Sequence, residues 1–110
     1  MVSKKFSDAM LKSVDFAFGS LGQSCEQSLY FHLKETFRVE RAEISEKVRE
    51  FDSALKLIFQ DGAVFLEELI LRKLCESLNV RFEADYKGDF VEAVFNVKDK
   101  VSEEKMELSI

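Results

Sequence analysis

The run Ala63-Val64-Phe65-Leu66-Glu67-Glu68-Leu69-Ile70-Leu71-Arg72-Lys73-Leu74-Cys75-Glu76-Ser77-Leu78 is the most apolar stretch of the 110-residue chain. At about 100° per residue, Leu66, Ile70, Leu71, Leu74, Cys75 and Leu78 fall on one side. That is the pattern of a central helix. Two departures from it carry information. Glu67 falls in the middle of the apolar arc, while Phe65 and Leu69 project among Glu68, Arg72 and Lys73 on the polar side.

Upstream, Ile44, Val48, Phe51, Leu55 and Ile58 follow at intervals of four, three, four and three, which keeps one seam of a third helix facing a partner. Asp61-Gly62 should stop it, because Gly adopts the left-handed conformation without a Cβ penalty. Between residues 38 and 50, four basic and four acidic residues make a zwitterionic surface. A first helix over residues 3–21 aligns Phe6, Met10, Val14, Ala17 and Leu21. Two Ser-x-x-Gln capping boxes, Ser20 with Gln23 and Ser24 with Gln27, predict a second helix starting near residues 22–24. It reaches Phe37 and buries Cys25, Leu29, Leu33 and Phe37, with Tyr30 and His32 at the edges and Phe31 pointing the other way.

Downstream, Val80, Phe82, Ala84 and Tyr86 alternate with charged residues, the repeat of a half-buried extended segment. Beyond Asp89 the pattern reads two ways. Phe90, Val94, Val97 and Val101 form a helical stripe behind an Asp-x-x-Glu start, whereas Val91, Ala93, Phe95 and Val97 could close a hairpin across Lys87-Gly88-Asp89. The helix is the favoured reading. Residues 102–110 read as a charged, flexible tail after a single domain over 1–101. The expected fold class is mainly α, a compact bundle of four to five helices with a short extended segment near the C-terminus.

Composition agrees: hydrophobic residues are 46% and Phe numbers 11, Gly is 4, and Pro and Trp are absent. No apolar run approaches the ~20 residues that cross a bilayer, and no secretory signal pattern is present, so a cytoplasmic setting is expected. The formal charge of -5 works against attachment to phosphate backbones, so nucleic acid is not the expected partner. Cys25 and Cys75 lack CxxC spacing and read as buried reduced thiols.

Chemistry is sparse. His32 is the only imidazole, and Cys25 lies seven residues away, roughly 10 Å along a helix axis, too far for a nucleophile pair. Too few Cys and His are present for zinc, and phosphate-cradle and nucleophile-elbow motifs are missing. Neither an enzyme nor a resident cofactor or metal is expected. Glu67 admits two readings: a carboxyl with a raised pKa or a specific partner such as His32 or an Arg, or a group near the helix start that bends to solvent or pairs with a neighbouring base. The second is favoured. Phe31, Phe65 and Leu69 on polar helix faces suggest a surface that another protein covers, a homodimer being the first expectation. The competing reading has the first helix or the C-terminal segment cover those faces within the monomer.

The run Ser20-Leu21-Gly22-Gln23-Ser24, Leu29-Tyr30-Phe31-His32-Leu33, Phe37, Glu43-Ile44, Phe51, Leu55, Ile58-Phe59, Gly62-Ala63, Leu66-Glu67 and Ile70 resembles the small archaeal Nitrosopumilus output domain type. The likeness covers about residues 6–78. It implies archaeal origin and a role nearer signalling than metabolism, and the pattern singles out His32 and Glu67. The chain departs from it in lacking a Pro near Ser45 and in carrying Asp61 where a Gly is expected, which leaves a helix break before Val48 open. The expectation is therefore a non-enzymatic interaction or output module acting through apolar helix faces. A helix-turn-helix transcription regulator is one alternative, although no segment clusters Lys and Arg on one face. The other is a small-molecule sensor lined by Tyr30, His32 and Glu67.

Overall fold

The computed structural model describes residues 3–82 and 89–108, with side chains as far as Val101. Five α-helices make up the described chain: α1 (Lys4–Gly19), α2 (Gln23–Phe37), α3 (Val48–Phe59), α4 (Ala63–Leu78) and α5 (Phe90–Leu108). Short 3-10 turns, Arg41–Glu43 and Gln60–Gly62, precede α3 and α4. The fold is a mainly α bundle, as the periodicities require.

Ser3 caps α1 by accepting a hydrogen bond from the Phe6 N–H at 3.2 Å. The helix buries Phe6, Met10, Val14 and Ala17 as expected, whereas Leu21 lies beyond its end and is exposed. Ala9, Ser13 and Ala17, spaced by four, are also buried, and the Ser13 hydroxyl donates to the Ala9 carbonyl at 2.7 Å. So little side chain on one face permits close backbone approach, and α1 packs most extensively against α4.

Helix α2 starts where predicted but by a different device. Gly22 is its N-cap with φ at 105°, a left-handed conformation natural to glycine, and no side chain caps the helix. Neither Ser-x-x-Gln box caps it: the Ser20 hydroxyl turns back to the Ala17 carbonyl at 2.6 Å, and Ser24 lies already inside the helix. Leu29 and Leu33 are buried, while Cys25 and Phe37 are only half-buried. Arg38, left-handed at φ 59°, ends the helix and lets the Val39 N–H reach the Leu33 carbonyl at 3.0 Å. Val39 thereby drops into the core.

The seam through Ile44, Val48, Phe51 and Leu55 is buried as expected, but Ile44 is outside the helix. A capping box between Glu40 and Glu43 winds the 3-10 turn, so the chain breaks before Val48 without a proline. At the far end, Gly62 is not the left-handed residue: its φ is -68°, and Gln60 takes φ 52° and ψ -123° instead. The 3-10 turn puts the reversal two residues earlier than the glycine rule suggests. Asn79, left-handed at φ 56°, closes α4, with the Val80 N–H on the Cys75 carbonyl at 2.8 Å.

Residues 80–82 leave α4 as irregular backbone, and the rest of the alternating run, residues 83–86, lies outside the described residues together with the Lys87-Gly88 turn. Asp89 opens α5 by accepting from the Glu92 N–H at 3.1 Å. Phe90, Val94, Val97 and Val101 are buried, which selects the helix over the hairpin. The helix then continues to Leu108, so the segment expected as a flexible tail carries on as helical backbone beyond residue 101.

A chain of rings crosses the core. Tyr30 and Phe18 stand 5.1 Å apart, Phe18 and Phe51 6.2 Å, and Phe51 and Phe90 6.2 Å, joining α2, α1, α3 and α5. This tilted geometry favours the edge-positive, face-negative charge distribution of aromatic rings.

Gln60 occupies a backbone region that a Cβ strains, so Gln60→Gly is expected to raise stability by about 1 kcal/mol, net of glycine's greater unfolded-state entropy. Urea denaturation measures it. A variant no more stable than the parent would count against strain at the α3–α4 corner.

Candidate functional site

Phe31 on α2 is 68% exposed and Phe65 on α4 is 77% exposed, so neither is covered within the protomer. Leu69 differs: it is half-buried and packs against the core, one turn beyond Phe65. It supports the Phe65 face without standing out from it. Phe31 and Phe65 occupy different helices, α2 packing on α1 and α3. Sequence reasoning missed Leu57 and Val64, both exposed. Leu57 lies outside the 4-3 seam of α3, a signal available in the spacing, and with Val64 and Phe65 it flanks the Gln60–Gly62 corner. Phe16 is exposed too, with the Lys73 ammonium 4.9 Å above its ring, a cation–π contact across α1 and α4.

Tyr30, His32 and Glu67 do not line a common pocket. Tyr30 belongs to a cluster at the α1–α2 edge, where its hydroxyl donates to Asp15 Oδ1 and the Arg41 guanidinium grips both oxygens of Asp15. The Arg41 hydrogen bonds hold the Asp15 carboxyl below its ordinary range, more than burial raises it, and the Tyr30 bond adds to the effect. Burial first, then the Asp15 carboxylate, pushes the Tyr30 phenol upward. The cluster clamps α1, α2 and the 3-10 turn before α3. His32 is exposed on α2, 3.0 Å from the Thr36 hydroxyl, with its ring edge-on to Phe37 at 5.4 Å. It has the surroundings of a surface histidine, and Cys25 is a free thiol.

Glu67 is fully buried, which overturns the expectation that its side chain bends to solvent or pairs with a base. At the fifth position of α4 it lies past the first turn, and its neighbour is Asp52 on α3. Burial pushes the Glu67 carboxyl up to about 9, the neighbouring Asp52 carboxyl pushes the same way, and Lys56 opposes them. Asp52 Oδ2 accepts from Lys56 Nζ at 3.0 Å, one turn along α3. That bond raises the Lys56 ammonium above its ordinary value. Asp52 was not singled out by the sequence reading, although an Asp four residues before a Lys is a recognisable helix pair.

Two neighbouring carboxyl groups suit proton sharing, and Glu67 is sealed from solvent. Among the described residues, no group of three or more His, Cys, Asp or Glu side chains is placed to hold a metal ion, and no helix is long and apolar enough to cross a membrane. No family model, curated protein or solved structure matches the chain.

The Asp15 clamp has a signed pH dependence. Its carboxyl is held down in the folded state, so its contribution is present above the unfolded value of 3.8 and is lost as pH falls through the lower folded value. Asp15→Asn is expected to cost about 1 kcal/mol at neutral pH, a half-exposed pair being worth little more, and the gap from wild type should close in strong acid. Chemical denaturation across the acid range checks it. A gap that stays constant would rule the clamp out as the cause.

Proposed function

We propose that the protein is a non-enzymatic interaction or output module that works through apolar helix faces, in the cytoplasm and as a homodimer. The observation that carries this reading is the pair of phenylalanines left in water, Phe31 and Phe65, on helices whose other faces already fill the core. Burying such a ring on association contributes about 2 kcal/mol, and aromatic anchors supply much of the affinity of protein interfaces. Leu57 and Val64, also exposed, flank the same α3–α4 corner along the chain. A second copy is the first occupant because closed twofold pairing is the commonest oligomer. The resemblance to small archaeal output domains, carried by the Ser20–Ser24, Tyr30–Leu33 and Gly62–Glu67 pieces, favours a role in signalling.

The alternatives draw less support. A sensor lined by Tyr30, His32 and Glu67 would need those three to converge, and each has its own separate neighbours. A DNA reader would need a basic face. The positive groups of α4 are instead paired with acids, Arg72 with Glu68 and Lys73 with Glu76, and the net charge is -5.

Sedimentation equilibrium on wild type, Phe31→Ser and Phe65→Ser tests the reading. A wild-type dimer is expected, with at least one variant weakened about tenfold or more in self-association and its helical circular-dichroism spectrum preserved, because neither ring contributes to the core. A wild type that stays monomeric at high concentration removes the homodimer. Equal association in all three proteins removes both rings as anchors.

A further inference from the structure

Asp52 on α3 and Glu67 on α4 bring three oxygens into a region closed to solvent: Asp52 Oδ1 and both oxygens of Glu67. Among the described residues, no N–H or hydroxyl group donates to any of them. What faces each carboxyl there is the other one. Two ionised groups in that position would repel in a region that water does not screen, and both would keep unsatisfied lone pairs. One proton removes the repulsion and gives two of the three oxygens a partner. Glu67 is the group that carries it, because it is fully buried and has no ion pair among the described residues, whereas Asp52 Oδ2 already accepts from Lys56 Nζ at 3.0 Å. A protonated carboxyl is a donor as well as an acceptor, so Glu67 donates to Asp52 Oδ1 and the chain Glu67–Asp52–Lys56 is continuous.

We propose that this shared proton is a latch between α3 and α4: with it the two helices are tied where Asp52 of α3 meets Glu67, just past the first turn of α4, and its loss as pH rises from weakly acidic to alkaline loosens that contact. The surrounding groups leave this window to the pair. Asp52 and Lys56 on α3 act on Glu67 directly, and Asp89, ahead of α5, acts on Lys56. The buried residues described on α1 and α5 include no ionisable side chain, and Asp61 in the intervening 3-10 turn is exposed. Asp15 titrates on the acid side of the window, and the Lys56 ammonium is raised from 10.5, beyond its alkaline end.

The sign follows from proton binding. Glu67 is raised in the folded state from its ordinary 4.5 to about 9, so over that interval the folded form holds a proton that the unfolded chain has released. The stabilisation is fully present below the lower value and is lost as pH rises through the interval, at about tenfold in the folding equilibrium per pH unit. The window spans neutrality, so modest pH changes act on the corner that carries Leu57, Val64 and Phe65.

The experiment is urea denaturation of the full chain from about pH 5 to about pH 8, on wild type and Glu67→Gln, with a carbon-13 NMR titration of the wild-type Glu67 carboxyl. Glutamine keeps a neutral donor toward Asp52 and cannot ionise. Wild-type folding should weaken by about tenfold per pH unit while the Gln variant stays nearly level, and the Glu67 carboxyl should be protonated at neutral pH. A level wild-type profile, a Gln variant as steep as wild type, or an ionised Glu67 at neutral pH would overturn the latch. Should the variant not fold, the wild-type profile and its carboxyl titration decide alone.

Discussion

Phe51 is in ring contact with Phe18 on one side and Phe90 on the other, at 6.2 Å each, and through them α1, α3 and α5 share one core. All three rings are fully buried. Truncating a ring at such a place costs about 3–5 kcal/mol, a large part of the stability of a domain this size. The other features depend on this chain of rings. It fixes how α3 lies against its neighbours, and hence where Asp52 and Lys56 point.

The polar groups divide by how much water they keep. At the wet edge, Asp15 is satisfied by Arg41 and Tyr30, an arrangement that joins three segments of chain. In the dry interior, Asp52 and Glu67 have, among the described residues, only each other and Lys56. An uncompensated charge there would cost several kcal/mol, which is why neutralising Glu67 is the cheaper state. The same burial that makes the pair costly makes it responsive to pH. Surface ion pairs such as Glu68 with Arg72 are screened by solvent and contribute little.

The α3–α4 corner gathers several unusual features. Gln60 takes a left-handed backbone there, Leu57, Val64 and Phe65 stand exposed around it, and the buried acid pair lies one helical turn or more inside. Strained backbone and exposed apolar side chains are both costs to an isolated protomer, and their coincidence directs attention to this end of the bundle.

Periodicity along the chain was enough to place the helices as far as α4, and it left α5 open against a hairpin. The apolar spacings of α1, α3, α4 and α5 mark their buried faces, because a helix repeats every 3.6 residues whatever it packs against. Local rules were weaker at the ends, where Gly22 replaced two serine boxes and Gln60 replaced Gly62, since several turn conformations compete within about 1 kcal/mol. The outward direction of Phe31 and Phe65 was also legible, each being the large apolar residue on a polar face. Glu67 was legible as an anomaly, but its partner was not. A sequence shows which face of a helix is buried; which other helix lies across from it is set by the packing of the whole core. Only the tertiary structure therefore brought Asp52 to Glu67, kept Tyr30 and His32 apart from it, and half-covered Leu69, because each depends on contacts between residues distant along the chain.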